Sequence, residues 1–217
     1  MNAYRHLQSL LQNPNFAPFM HSCSNSDVKR EMAKLIHTIC CSSAQDILQP
    51  IHLQPLILAY SGSLSTWDQT LLEIFRLFEV RKQLPLSSLL DHWSPDNIVQ
   101  NSFLDVILSL DASRMMATCI NFPANRGLGR DNDNSLVSSE EEVRYDPTFI
   151  LLLLARTLSE CPPESMFSWI SLFRTNVFSL VIRCLSSFDS NIRLLAITQL
   201  GVLYKLLQVS LTYIYNF

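Results

Sequence analysis

Histidine and cysteine side chains, the usual protein ligands of zinc, lie close together near the start of the chain. His21 precedes Cys23 by two residues, His37 precedes Cys40 by three, and His52 follows. Structural zinc sites draw paired ligands from a loop or knuckle with Cys-x-x-Cys-like spacing. His37 and Cys40 instead lie among isoleucines at helical spacing. The spacing therefore favours residues at the edge of a core, and we predict no metal and no cofactor.

Other segments contain residue types found in enzyme sites. Ser61-Gly62-Ser63 offers hydroxyl nucleophiles, but it lacks the Gly-x-Ser-x-Gly frame and the preceding strand of a hydrolase. Gly127-Leu128-Gly129 lacks the third glycine and the lysine of phosphate-binding loops. The adjacent carboxylates Glu140-Glu141-Glu142 are typical of a solvated charge run. These patterns predict that the protein is not an enzyme and has no catalytic residues.

Two serines have a context that acidophilic kinases accept. Ser138 and Ser139 are each followed by a glutamate three residues downstream. Phosphorylation would add about 1.5 to 2 negative charges per site and repel acidic partners. The alternative is an inert acidic loop, since short acidic serine motifs are common.

The composition is typical of a helical protein with a core and no basic field. Hydrophobic residues make up 48% of the 217 residues and charged residues 16%, with a mean hydropathy of +0.16; this excludes a wholly disordered chain. The net charge of -3 does not indicate direct binding to a nucleic-acid backbone. Four glycines are too few for the frequent tight turns of a β-barrel or sandwich.

The six cysteines do not indicate a secreted protein. The sequence shows no basic-then-apolar signal segment and no Asn-x-Ser/Thr acceptor, so we predict a reducing, intracellular compartment. The run from Leu194 to Phe217 is long enough to span a bilayer. Lys205 near its middle would cost about 2.5–3.5 kcal/mol there, which favours a buried helix over a membrane anchor.

Apolar residues recur at helical spacing through most of the chain. The clearest apolar face is formed by Val28, Met32, Leu35, Ile36 and Ile39, with Lys29, Arg30, Glu31 and Lys34 on the polar side. Ser65, Ser94 and Asp189 are of residue types that cap helices, and Pro147 suits a first helical turn. Six phenylalanines at helical spacing are expected in the core: Phe75, Phe78, Phe103, Phe167, Phe173 and Phe178. Helices are predicted over 3–11, 26–39, from about 44 to 60 with interruptions at Pro50 and Pro55, 66–82, 95–110, 147–156 and 165–186, and from 189 onward.

Residues 121–144 interrupt this pattern with Asn, Gly, Asp, Ser and Glu, and predict one long flexible, polar and acidic loop. The loop divides an N-terminal helical segment, residues 1–120, from a C-terminal helical segment, residues 145–217. The last residues, up to Phe217, continue an apolar helical pattern without a cap. A fragment or a truncated product is therefore expected.

The segment from Phe188 to Leu200 resembles the second helix of a HEAT-type repeat. An acidic cap, Asp189, is followed by an aliphatic-Arg step ending at Arg193 and then by Ala196. Ala196 would let a paired helix approach closely, Ile192 and Leu200 would be buried against that helix, and Arg193 would reach acidic groups at the turn. The whole pattern predicts an all-α, HEAT/armadillo-like helical-repeat solenoid segment. An irregular helical bundle is the alternative.

Two further segments resemble the nucleolar pre-ribosomal-associated protein 1 family, while residues before Leu58 show no signature. Positions 58–79 are similar to its Tyr-Gly-Ala-Thr-Leu-Ser…Asp…Leu-Leu…Tyr/Phe-Glu segment, with Ser61-Gly62 where Gly-Ala is expected. Positions 145–151, Tyr-Asp-Pro-Thr-Phe-Ile-Leu, are similar to its Tyr-Asp-Pro-x-Phe segment. The motif residues, including those of the repeat-like segment, are Tyr60, Leu64, Ser65, Asp68, Glu79, Tyr145, Asp146, Pro147, Phe149, Asp189 and Arg193.

Members of that family are very large, HEAT/armadillo-like nucleolar scaffolds that act in early assembly of the large ribosomal subunit. The resemblance implies a non-catalytic scaffold in the nucleus and nucleolus, acting in large-subunit precursor assembly and pre-rRNA processing. Its implied partners are ribosome-assembly factors and pre-ribosomal particles; contact with ribosomal RNA is not indicated by charge, and no membrane is expected. The main alternative is a generic HEAT/armadillo adaptor in another intracellular pathway, followed by an enzyme of unknown class and a membrane-anchored protein.

The motif residues also have local structural roles, so they are not assigned to a binding site. Ser65 and Asp68 are placed to cap one helix, and Asp146 with Pro147 to begin another.

We expect the substitution Ser65→Ala to lower the free energy of unfolding by about 0.5–2 kcal/mol, because it removes the oxygen that caps the helix. Chemical denaturation of the two proteins measures the difference. Equal unfolding free energies would show that Ser65 is not a cap.

Overall fold

The computed structural model describes residues 2–22, 25–42, 48–84, 93–94, 102–127 and 144–215. Every regular element in these ranges is helical, which confirms the predicted all-α class. The first helices are α1 (Asn2–Leu11), α2 (Phe16–His21), α3 (Ser26–Ser42), α4 (Leu53–Ala59, after the 3-10 helix Pro50–His52) and α5 (Thr66–Lys82). The later helices are α6 (Phe103–Leu108), α7 (Ala112–Ile120), α8 (Pro147–Glu160), α9 (Met166–Arg174), α10 (Val177–Cys184) and α11 (Ser190–Tyr215).

The helices belong to two compact units, residues 1–99 and residues 100–217. In the first unit α3 packs along α5, α2 against α4, and α1 against α3. In the second unit α8 contacts α6, α10 and α11, and α10 also contacts α7 and α9. Helices α6 and α7 precede the predicted polar loop in sequence, yet they pack with the helices that follow it.

The core of the first unit lies where α3 meets α5. Leu71, Ile74, Phe75 and Phe78 form the buried face of α5, as their spacing predicts. The side chain of Trp67, in the first turn of α5, is also buried. This face supplies aromatic and aliphatic surface against which α3 must pack.

Helix α3 buries a face that overlaps the predicted one at Ile36 but is shifted elsewhere. Its spacing placed Val28 and Leu35 in the core, but these side chains are 51% and 53% exposed. The buried positions are Ala33, Ile36 and Cys40. Apolar residues occupy more than one stripe of this helix, so the partner helix selects the face, and the small Ala33 permits close approach to it.

This shift of the buried face also buries a lysine that the sequence pattern placed on the polar side of α3. Lys29 is only 3% exposed. Its Nζ donates a hydrogen bond to the carbonyl oxygen of Ser22 and lies 5.0 Å from the ring centroid of Trp67. A buried ammonium group needs such partners, and an aromatic face is one that attracts a cation.

Helix α8 forms the centre of the second unit. It is apolar around most of its circumference, a pattern typical of a helix that is covered on several sides. Helices α6, α10 and α11 cover it. Its buried aliphatic and aromatic residues are Phe149, Ile150, Leu151, Leu153, Leu154 and Leu158.

The helix predicted over 165–186 is wrong in its continuity, because the chain breaks it into α9 and α10. Asn176 takes a left-handed backbone conformation with φ of 62°. Its Nδ2 donates a hydrogen bond to the carbonyl oxygen of Ala112, 3.1 Å away. Asparagine tolerates this conformation better than most residues, so the break needs no proline or glycine.

The predicted burial of the phenylalanines is only partly correct. Phe75 and Phe78 are buried, whereas Phe167 is 82% exposed and Phe173 is 42% exposed. Helix α9 packs through Trp169 and Leu172, which leaves its other aromatic residues on the outside. The short helices α2 and α7 have no counterpart among the predicted helices.

The start of the predicted flexible loop is held against the fold. The carbonyl oxygen of Ala124 accepts a hydrogen bond from the backbone N–H of Phe188 at 2.9 Å, and Arg126 is buried. Positions 128–143, with Ser138 and Ser139, lie outside the described residues, as do 43–47 and the 95–101 part of one predicted helix. The predicted segment boundaries and phosphorylation sites stay predictions.

We expect Asn176→Ala to lower the free energy of unfolding by about 1–2 kcal/mol, because the Cβ of alanine clashes with the following carbonyl oxygen in a left-handed backbone conformation. The matched variant Asn176→Gly loses the same hydrogen bond without that cost. Thermal or chemical unfolding compares the two. Equal losses for alanine and glycine would show that the backbone conformation is not the cause.

Candidate functional site

The first motif segment is organised around a buried carboxylate, that of Asp68 on α5. Asp68 is fully buried. Its oxygens accept the backbone N–H groups of Ser61 and Ser63 at 3.2 and 2.8 Å, and the hydroxyl groups of both serines at 2.5 Å. Four donors replace the water that burial removes. The Ser61-Gly62-Ser63 turn therefore wraps a carboxylate instead of presenting a nucleophile.

The N-terminus of α5 is capped as its sequence predicts. The Ser65 hydroxyl accepts a hydrogen bond from the backbone N–H of Asp68 at 3.3 Å. The hydroxyl oxygens of Ser63 and Ser65 lie 2.7 Å apart, which links the cap to the turn. Gly62 takes a left-handed conformation, with φ of 65°, that lets the turn close around Asp68.

Tyr60 joins this turn to the core of the first unit. Its ring packs edge-on against Phe75 with 5.6 Å between the centroids. Its carbonyl oxygen accepts a hydrogen bond from the indole N–H of Trp93 at 2.8 Å. Leu64 is buried as well. Tyr60 and Leu64 therefore hold the motif segment to the core, as predicted for residues with a structural role.

The second motif segment is organised in the same way around Asp146, the N-cap of α8. The backbone N–H and the hydroxyl of Thr148 donate to Asp146 Oδ1 at 2.9 and 2.7 Å. The Arg126 guanidinium reaches the same carboxylate, with Nη2 2.7 Å and Nε 3.2 Å from Oδ2. Both partners are buried, with side chains 8% and 1% exposed. Sequence reasoning placed Arg126 in a mobile loop and missed this ion pair, because its two halves are 20 residues apart.

The residues on either side of Asp146 are buried too. Tyr145 accepts the backbone N–H of Asp111 at its hydroxyl oxygen, 3.1 Å away, and its ring lies 4.0 Å beneath the Arg114 guanidinium. Burial raises the pKa of this phenol above its usual value. Pro147 forms the first turn of α8, and Phe149 lies in the core.

The remaining motif residues have smaller or different contacts. Asp189 accepts the backbone N–H of Asn191 at 2.7 Å, which confirms it as a cap of α11. The repeat pattern predicted that Arg193 would reach acidic groups at the turn, but among the described residues it contacts backbone carbonyl groups. Its Nη1 donates to the carbonyl oxygens of Ser187 and Phe188 at 2.7 and 2.9 Å, since the end of the preceding turn leaves carbonyls without helical partners. Glu79 is exposed on α5.

Of the histidine and cysteine residues near the start of the chain, His37 lies in a small polar cluster with Cys41 and Glu73 between α3 and α5. His21 instead lies 2.7 Å from the carbonyl oxygen of Leu58 through its Nε2, and Cys23 lies outside the described residues. Cys41 Sγ lies 3.4 Å from His37 Nε2, and that nitrogen lies 3.5 Å from Glu73 Oε2. Cys41 Sγ is also 4.0 Å from Nδ1 of the same ring, so it lies beside the ring and off the Nε2 lone-pair axis on which a metal binds. Within the described ranges, no group of three or more His, Cys, Asp or Glu side chains is arranged to hold a metal ion.

The buried thiols are poor nucleophiles. Burial raises the pKa of Cys40 to about 12 and the pKa of Cys184 to about 12, and it raises that of Cys119 as well. The reactive form of cysteine is the thiolate. These thiols therefore stay protonated at neutral pH and act as small apolar side chains.

Exposed apolar side chains are concentrated on the outer helices of the second unit. Phe188, between α10 and α11, is 75% exposed. A shallow depression of about 500 Å³ between α7 and α10 is lined by Cys119, Ile120, Ser179, Ile182 and Arg183. Clusters of exposed apolar residues on folded domains are typical of interaction surfaces. The large apolar side chains exposed on α9 and α11 are Met166, Phe167, Ile170, Phe173, Leu194, Ile197, Val202, Tyr204 and Val209.

Helix α11 is also the one described helix that is long and apolar enough to cross a membrane. Over Ser190–Val209 its mean hydropathy is 1.3, and 22% of this stretch is buried. Length and composition alone underlie this observation, and core helices of soluble proteins share both.

Comparison with curated proteins finds two long relatives of the chain. It is 26% identical over 224 residues to human (Homo sapiens) "Nucleolar pre-ribosomal-associated protein 1" and 28% identical over 228 residues to the mouse (Mus musculus) protein of that name. Each match covers 92% of this chain. The predicted family resemblance is confirmed. A match of this extent includes residues before Leu58, where the sequence alone shows no signature.

The chain spans about a tenth of the length of these relatives, since each match covers 10% of the longer protein. No family model matches the chain. No solved structure matches it either.

Most of the motif residues that carry the resemblance are buried and therefore act within the fold. Asp68 and Asp146 each begin a helix and gather the preceding loop around a carboxylate. The candidate functional surface is instead formed by the exposed apolar side chains on the outer helices of the second unit. None of these side chains is a motif residue. The buried motif residues are Tyr60, Leu64, Ser65, Asp68, Tyr145, Asp146, Pro147 and Phe149.

We expect Arg126→Ala to lower the free energy of unfolding by about 3–5 kcal/mol, because it leaves the buried Asp146 carboxylate without its cation. Arg174→Ala removes the same charge from an exposed position and should change stability by less than about 0.5 kcal/mol. Chemical denaturation measures both. A loss for Arg126→Ala as small as that for Arg174→Ala would show that the ion pair does not stabilise the fold.

Proposed function

We propose that the chain is a segment of a non-catalytic helical scaffold in nucleolar ribosome biogenesis. The observation that carries this proposal is the similarity to the human and mouse nucleolar pre-ribosomal-associated proteins over 92% of the chain. Their name describes association with pre-ribosomes in the nucleolus. The match runs through both compact units, so it is not confined to one short motif.

The internal structure of the chain supports a scaffold over an enzyme. The hydroxyl groups of Ser61 and Ser63 are engaged with Asp68, and the pKa values of the buried thiols of Cys40 and Cys184 are raised to about 12. These hydroxyl and thiol groups therefore contribute to the folded structure and are not available as nucleophiles. The exposed apolar residues of α9 and α11 offer surface for protein contacts instead.

A HEAT/armadillo-like arrangement is part of the proposal. Repeat solenoids stack amphipathic helix pairs, and each pair buries its apolar face against its neighbours. Helices α10 and α11 pack together, and both also contact α8. Ile192 and Ala196, which the repeat pattern placed at the helix interface, are 1% and 0% exposed, while Leu200 is half-buried.

The proposed partners are ribosome-assembly factors and pre-ribosomal particles, with the work directed at large-subunit precursors and pre-rRNA processing. Protein contact is favoured over direct contact with RNA. The net charge of -3 supplies no basic field for the phosphate backbone. The proposed location is the nucleolus.

The test is localisation of the tagged chain together with affinity purification from the same cells. We expect nucleolar signal and co-purification of large-subunit precursors. The Arg126→Ala variant, whose fold is expected to be weakened, is the control for recovery that does not depend on the fold. Enrichment of a cytoplasmic complex, with no nucleolar signal, would overturn the proposal and favour an adaptor in another pathway.

A further inference from the structure

Helix α11 has one buried face and one exposed apolar face. Ile192, Ala196, Gln199 and Leu203 are buried on the face that packs against α8 and α10. The opposite face carries Leu194, Ile197 and Tyr204, which are 64%, 58% and 63% exposed. Together with Gly201, these residues follow one another at intervals of three, four and three. This is the spacing of a helix that packs along another helix.

Gly201 is the least expected residue on this face. A Cβ atom placed there would meet no atom within 4 Å, so the fold of the chain itself does not require glycine. Glycine destabilises the interior of a helix relative to alanine. A glycine in the middle of an exposed apolar stripe leaves room for another backbone to approach closely at that point.

The charged residues of α11 indicate which kind of partner would bind its exposed face. From Ser190 to Tyr215 it contains two charged residues, Arg193 and Lys205, and no carboxylate. Arg193 is bound to the backbone carbonyl oxygens of Ser187 and Phe188. Lys205 is exposed next to Tyr204. The flank of the stripe is therefore positive, which is complementary to an acidic partner.

We propose that Leu194, Ile197, Gly201 and Tyr204, with Lys205 beside them, dock an amphipathic helix of a partner protein. The partner helix presents aliphatic residues at three-four spacing and carboxylates along their edge. The stripe from Leu194 to Tyr204 extends about 15 Å at 1.5 Å per residue, room for about one and a half heptads of the partner. This inference rests on the proposed scaffold function and names the kind of partner that the scaffold takes.

Two other occupants of the stripe are less well matched to it. A second copy of the chain would bring the same face without carboxylates, so its charge would not complement Lys205. A lipid surface would accept the apolar stripe but gives no reason for Gly201, because acyl chains need no close backbone approach. Both are outcomes that the experiment separates from the proposal.

The test uses the full 217-residue chain and two synthetic helical peptides of about three heptads, each with leucine at the a and d positions. One peptide carries glutamate and the other lysine at the e and g positions. Fluorescence anisotropy is expected to show about tenfold tighter binding of the glutamate peptide, because only its charge complements Lys205. Lys205→Glu should reverse this preference.

The variant Ile197→Asp should weaken binding of the glutamate peptide about tenfold, because it places a charge in the centre of the contact. Val80→Asp, on an exposed position of α5, is the matched control and should bind like the unchanged protein. Circular dichroism confirms that both variants fold. Equal binding of the two peptides, or equal binding by the two variants, would overturn the proposal.

Two further measurements identify the other occupants. A dimer that Ile197→Asp dissociates would assign the stripe to a second copy. Flotation with vesicles of phosphatidylcholine and phosphatidylserine, lost in Ile197→Asp, would assign it to lipid. Either result overturns the docking of a partner helix. Peptide binding without nucleolar co-purification would overturn the ribosome assignment alone, and co-purification without peptide binding would overturn this inference alone.

Discussion

A carboxylate that leaves water must find hydrogen-bond donors inside the protein, and this requirement organises both units of the chain. Asp68 is satisfied by two serines from the turn before α5. Asp146 is satisfied by Thr148 and by the guanidinium of Arg126. In each case the carboxylate lies in or just before the first turn of a helix and holds the incoming loop. The direction in which α5 and α8 enter their units depends on these contacts.

This arrangement explains why most of the motif residues do not form a binding site or a catalytic site. Their polar atoms are used within the fold, and their rings and aliphatic groups are buried against it. The motif residues quoted for the family resemblance are therefore largely residues that build the units. The residues proposed to meet partners belong to a different set, the exposed apolar side chains on the outer helices of the second unit.

The helices themselves were largely predictable from neighbouring residues. Helix start signals depend on a side chain and a backbone N–H two or three positions away, so Ser65, Asp146 and Asp189 could be assigned as caps without a structure. The break at Asn176, in contrast, could not be predicted from neighbouring residues. Its conformation is stabilised by a hydrogen bond to Ala112, and a partner 64 residues away leaves no trace in the local pattern.

The sequence by itself determined the helical class, most helix positions and the resemblance to the nucleolar proteins, because periodicity, caps and motifs are properties of residues close together in the chain. Tertiary structure decided which face of each helix is buried. It buried Lys29 against Trp67, paired Arg126 with Asp146 and left Phe167 exposed. Each of these depends on which distant segment lies alongside. An apolar stripe indicates that one face of a helix must be buried. Only the packed fold determines which segment buries that face.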